Sequence, residues 1–133
     1  MDLGEVERFI AAVDCDALAV GIGNAHGMYQ GTPHFDFDRL AACRALGTPP
    51  LVLHGGSGTP DAMIRKAIQL GIRKVNVATE LRMAFMAGLE ATVAERDFYG
   101  MYRQAKSNMY ELACRKIRLF QGKDTSTPIE QTV

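Results

Sequence analysis

His26 and His54 each stand directly before a glycine and just after a short apolar run, Ala17 to Gly23 in one case and Leu51-Val52-Leu53 in the other. Neutral imidazoles delivered from adjacent strand ends could ligate one divalent metal, with zinc the natural candidate. The same pair is also explained as two hydrogen-bonded loop histidines, because a catalytic zinc wants a third protein ligand and the spacing points to none. Behind His54 runs Gly55-Gly56-Ser57-Gly58. Glycines let the backbone turn tightly and present N–H groups to an oxyanion. A helix start at Thr59-Pro60 would add a positive dipole end. Asn76-Val77-Ala78-Thr79 offers a second set of N–H donors and a hydroxyl. On spacing alone the glycine-rich segment is equally a plain strand-to-helix turn. No Walker A pattern occurs, and Gly21-x-Gly23 lacks the third glycine of a dinucleotide fingerprint. His34 reads as a surface or capping residue, Cys15 lies at the wrong end of its strand, and Asp36, Asp38 and Asp61 read as helix-start residues.

These candidates all fall just after predicted strands, where the loops and helix N-termini of parallel α/β folds converge. Apolar residues at Leu3, Val6, Phe9, Ile10 and Val13 predict a first helix over Leu3 to Val13. Ala17 to Gly23 is a short apolar run without alternation, which suits a strand buried on both faces. Gly23 to Pro33 reads as loop. Asp36 caps a helix that Gly47 ends. Leu51 to Leu53 predicts a second buried strand. Thr59-Pro60-Asp61 predicts a helix with a hydroxyl cap and proline at its first position, stopping at Gly71. Ile72 to Val77 predicts a third strand. Two helices follow, one from Thr79-Glu80 with a face of Leu81, Phe85, Leu89 and Val93, the other from about Phe98 to Phe120. Gln121 to Val133 is a polar tail. The pattern is α-β-α-β-α-β-α-α, the grammar of βα units on a parallel sheet. Three strands are too few for a barrel, which takes about 250 residues, so the 133 residues look like part of a domain.

Composition narrows the function classes. The chain is 47% hydrophobic and 23% charged, enough to build a core. Fifteen basic residues balance fifteen acidic ones, and no Lys/Arg-rich run stands out, which argues against nucleic-acid or anionic-membrane partners. The longest apolar run is too short to span a bilayer. The acidic N-terminus shows no secretory signal, and three cysteines without C-x-x-C spacing make neither a disulfide framework nor a zinc knuckle. A soluble, cytoplasmic location is expected.

Three blocks carry a resemblance: Ala17 to Gly27 (ALAVGIGNAHG), Pro50 to Gly58 (PLVLHGGSG) and Gly71 to Leu81 (GIRKVNVATEL). In this order they resemble the C-terminal part of class II, metal-dependent ketose-bisphosphate aldolases, with the tagatose-bisphosphate branch nearest and bacterial fructose-bisphosphate aldolases next. The resemblance spans residues 2 to 120. It implies an α/β fold, the last three βα units of a TIM (β/α)8 barrel. It also implies a lyase of carbohydrate metabolism and glycolysis, cleaving tagatose or fructose 1,6-bisphosphate to dihydroxyacetone phosphate and glyceraldehyde 3-phosphate. His26 and His54 would be two of three histidine ligands of a Zn2+ ion. Gly27, Gly55, Gly56 and Ser57, with Asn76, Val77, Ala78 and Thr79, would hold the phosphorylated ketose. Backbone oxygens near Gly27 and Gly55 would face a monovalent cation, Na+ or K+. Zinc as Lewis acid removes the need for a lysine Schiff base, so Lys66 and Lys74 need no catalytic role.

The family's Asp-His pair, with its proton-transfer aspartate and third zinc histidine, has no counterpart among these residues. The expectation is therefore a partial aldolase barrel over 1–120 with a tail over 121–133, inactive alone. It would form a homo-oligomer or associate with the missing N-terminal half. The alternative is a non-catalytic phosphate- or metal-binding half-barrel, or one subunit of a split enzyme.

Overall fold

The computed structural model describes residues 2–126, and the chain forms two compact units that meet in sequence between Val77 and Ala78.

The first unit alternates helix and strand. Helix α1 (Leu3–Ala12) begins where Asp2 donates its backbone N–H to the Glu5 carboxylate at 2.9 Å. Helix α2 (Phe37–Ala45) is capped as expected, Asp36 Oδ1 accepting the Arg39 N–H at 2.9 Å. Strands β1 (Leu18–Ala19), β2 (Leu51–Leu53) and β3 (Ile72–Val75) form a parallel sheet in chain order, with β2 in the middle. Leu18 lies opposite Leu51, Leu51 opposite Ile72 and Leu53 opposite Val75, with an irregularity at Leu51/Val52. Helix α3 (Asp61–Gln69) packs on β3 and α1 packs on α2. The core gathers Leu51, Leu53, Ile72, Ile64, Leu40 and Ile22, each at most 1% exposed. Each such side chain contributes roughly 1.5–3 kcal/mol by leaving water.

Three expectations are corrected. The first strand holds two residues instead of seven, because the Ile22 N–H is taken by Asn24 Oδ1 at 3.0 Å and Gly23 turns to φ +92°. Val20 and Ile22 stay buried, so the apolar run serves the core without continuing the ladder. Strand β3 ends at Val75, yet the Asn76 N–H still reaches the Leu53 carbonyl at 2.9 Å. Helix α3 starts one residue late. Its N-cap is Pro60, and the Thr59 hydroxyl turns back to the Gly55 carbonyl at 3.4 Å instead of capping.

The second unit is a helical hairpin of α4 (Thr79–Thr92) and α5 (Phe98–Phe120), joined through a 3-10 turn at Val93–Glu95. Arg96, at φ +54°, reverses the chain, and Asp97 Oδ1 then accepts the Tyr99 N–H at 3.1 Å. Lys116 near the end of α5 pairs with Glu80 at the start of α4 at 2.8 Å, so the helices run antiparallel. They close tightly at Gly88, where a Cβ would lie 2.5 Å from Ala105 Cα. Phe85 meets Tyr102 edge to face at 6.0 Å, whereas Val93, expected on the same face, lies in the turn and is exposed. Residues 127–133 of the expected tail lie outside the described residues.

Candidate functional site

The first unit brings its two predicted metal histidines together. His26 follows β1 on a loop and His54 follows β2 directly. Their ring centres are 5.5 Å apart with planes at 79°. Two imidazoles on one tetrahedral zinc, with metal–nitrogen bonds of about 2.0–2.1 Å, have ring centres about 5 Å apart. The separation of the pair therefore matches two corners of a zinc site. Among the described residues no group of three His, Cys, Asp or Glu side chains forms a metal donor set, so the pair amounts to half of one.

Close backbone approach explains the glycines behind His54. Gly55 sits at φ +65°, and a Cβ there would run into the Ala25 carbonyl oxygen. The loop carrying His26 thus lies directly on the residue after His54. At Gly56 a Cβ would meet Val75 Cγ1 at 2.6 Å, and its N–H donates to the Asn76 carbonyl at 2.9 Å. That donor belongs to the fold. Ser57 is buried, at 3% exposure. Gly27, at φ +94°, has open space where a Cβ would be, so its backbone is approachable.

Asn76 also departs from the donor turn expected for it. Its N–H extends the ladder to Leu53 and its carbonyl accepts from Gly56. Its side chain faces His54, with Nδ2 at 3.3 Å from the imidazole Nδ1. Lys74 Nζ donates to Asn76 Oδ1 at 2.7 Å. An ammonium has only donors, so it fixes the amide with Oδ1 toward itself and NH2 toward His54. His54 Nδ1 then accepts, which places the neutral ring's proton on Nε2, so a metal reaches a lone pair of this ring only once that hydrogen bond is broken. Val77 follows Asn76 in the first unit, while Ala78 and Thr79 begin the second and Thr79 opens α4.

Sequence reasoning missed Lys74, Asn24 and Tyr29 as parts of this site. Lys74 and Asn76 are two residues apart on an extended chain, so one face was foreseeable. Asn24 Nδ2 donates to the His54 carbonyl at 3.0 Å. The Tyr29 hydroxyl accepts the Ala25 N–H at 3.0 Å and lies 3.2 Å from the Gly55 carbonyl. Neither link has a local sequence signal.

Similar folds occur in known proteins. The YdjI aldolase from Escherichia coli K12 is 37% identical, with a TM-score of 0.84 over 96% of this chain and 48% of its own. A protein assigned as a fructose-1,6-biphosphate aldolase from Coccidioides immitis is 22% identical, with a TM-score of 0.81 over 91% of this chain and 43% of that one. Fructose-bisphosphate aldolase from Campylobacter jejuni is 19% identical, with a TM-score of 0.67 over 83% and 41%. The two more distant likenesses concern the fold alone. The chain spans about half the length of these aldolases, and its three parallel strands match that half of their α/β architecture. The sequence profile of class-II fructose-bisphosphate aldolases matches residues 1–125, and the chain belongs to that family.

Proposed function

We propose that this chain carries two of the zinc-holding histidines and part of the phosphate-facing backbone of a class II aldolase, as the last three βα units of its barrel. The reaction is reversible cleavage of tagatose or fructose 1,6-bisphosphate to dihydroxyacetone phosphate and glyceraldehyde 3-phosphate. The observation that carries this reading is the 5.5 Å approach of the His26 and His54 rings, produced by two separate loops. When bound, zinc supplies a Lewis acid for the substrate's ketone oxygen. The chain's own residues do the positioning. Asn76, oriented by Lys74, donates to the His54 ring in the metal-free chain, and that hydrogen bond gives way when the ring takes up zinc. Gly27, Gly55 and Ser57 form the surface on which a ketose phosphate is proposed to rest, and backbone oxygens near Gly27 and Gly55 are the proposed cradle for Na+ or K+.

Full chemistry needs a third ligand and a proton-transfer carboxylate from beyond this donor set. The 133-residue chain alone is therefore expected to lack aldolase turnover. Isothermal titration of the purified chain with zinc tests the reading directly. The expected result is one-to-one binding that disappears in both His26→Ala and His54→Ala. A wild-type chain, folded by circular dichroism, that takes up no zinc would sink the half-site. Ordinary aldolase rates abolished by EDTA would overturn the claim of inactivity.

A further inference from the structure

We infer that Tyr29 is a positioning residue whose hydroxyl sets the separation of His26 and His54, an inference that rests on the two-histidine site proposed above. Ala25 immediately precedes His26, and Gly55 immediately follows His54. The Tyr29 hydroxyl accepts from the Ala25 N–H at 3.0 Å and donates to the Gly55 carbonyl at 3.2 Å. A phenol offers one donor and accepting lone pairs on a single atom, so one oxygen joins the two loops one residue away from each histidine. Phenylalanine would keep the ring and lose both links.

This tie matters because of what the first loop lacks. No helix or strand occurs between β1 and α2, so residues 20–36 have no ladder to hold them. The far end of the loop is fastened by the Asp36 N–H to the Ile22 carbonyl at 2.8 Å. Near the histidines, Asn24 reaches the His54 carbonyl at 3.0 Å, and Gly55 lies against the Ala25 carbonyl. Asn24 acts on the near side of Ala25, before His26 in the chain. Tyr29 closes over the far side, so His26 is held between two anchors. The half-buried tyrosine ring lies beside Gly58, where a Cβ would be 3.5 Å from Tyr29 Cδ2. The hydroxyl's aim is therefore set by packing on the glycine-rich segment itself.

The test compares the wild-type chain with Tyr29→Phe, using Tyr110→Phe on the exposed face of α5 as control. Three quantities are read: exchange of the Ala25 amide, the cross-relaxation signal between the His26 and His54 ring protons, and zinc affinity by titration. In Tyr29→Phe the Ala25 amide is expected to exchange at least about tenfold faster, and the ring-to-ring signal to be lost. Zinc is expected to bind about 10–100-fold more weakly, as when other groups orienting metal ligands are removed. Tyr110→Phe should match wild type in all three. The ring-to-ring signal comes from folded molecules only, so it judges the inference even if the variant is less stable. An intact signal, or an Ala25 amide protected as in wild type, overturns the inference. So does unchanged zinc affinity where wild type binds. If wild type binds no zinc, the two-histidine function fails, and the metal-free exchange and ring signals still decide whether Tyr29 positions the histidines.

Discussion

Asn76 uses its N–H, its carbonyl and both ends of its side-chain amide inside the first unit, and one of those ends holds a histidine. Asn76→Ala would remove the donor facing His54 Nδ1 and leave the Lys74 ammonium without its 2.7 Å acceptor. Zinc affinity is expected to rise, because the donor facing Nδ1 favours the Nε2–H tautomer, which has no lone pair for the metal, and stability is expected to fall by about 1–2 kcal/mol. Titration and urea unfolding of the same preparation measure both, and unchanged zinc affinity would show that the amide does not occupy the ring's lone pair. Cys43 is a second residue with a measurable signature. It is fully buried, and burial pushes its thiol pKa up, with the Arg39 guanidinium opposing and Asp36 reinforcing the rise. A thiol that stays protonated when folded and ionises when unfolded gives stability that is complete below about pH 8.5. That stability is lost as pH climbs through the folded pKa. The urea midpoint should fall more steeply from pH 7 to pH 10 in wild type than in Cys43→Ala, and parallel slopes would refute this assignment. At this scale His26 and His54 drew notice because only three histidines occur and each of these two follows an apolar run. Tyr29 was hidden because it acts on Gly55, 26 residues away.

Helix boundaries were legible almost to the residue, since they depend on local signals. Asp36 caps α2 and α5 runs from Phe98 to Phe120 as expected, while the Asp97 cap of α5 was not read. Leu51–Leu53 was also read correctly, but the lengths of the two outer strands were not, since a ladder needs a partner that local sequence does not reveal. The apolar pattern from Ala17 to Gly23 predicted burial correctly at Val20 and Ile22 and pairing at Leu18 and Ala19, but the ladder stops there and Ala17, Ala19 and Gly21 are exposed, so the run is not buried on both faces. In the second unit, Gly88 has a role only the hairpin displays. Gly88→Val would place its Cβ against Ala105 Cα and N, at 2.5 and 2.7 Å, and push α4 and α5 apart. A loss of about 1–3 kcal/mol is expected, read as a lower urea midpoint of the helical signal. A midpoint equal to wild type would mean the helices are not apposed at Gly88.

At the scale of the molecule, β1 and β3 each pair only with β2, so among the described residues the sheet has an open edge on both sides. Unpaired edges invite further strands, and a formal charge of zero offers no net repulsion between copies. Sedimentation equilibrium is expected to give a mass that rises with concentration above 14.5 kDa. A single 14.5 kDa species at every concentration would argue against self-association. Counting strands already indicated part of a domain, the barrel being what the resemblance implied, whereas partner and substrate leave no pattern that counting can find. Among the described residues no helix is long and apolar enough to cross a membrane. Because no strand or helix holds the stretch from Gly23 to Thr32 and none of its residues is fully buried, it can open at a free energy well below that of global unfolding. A ligand that grips His26 must then freeze that stretch. Its binding carries an entropic penalty, shows as enthalpy-driven in calorimetry, and tightens with any change that orders the loop beforehand.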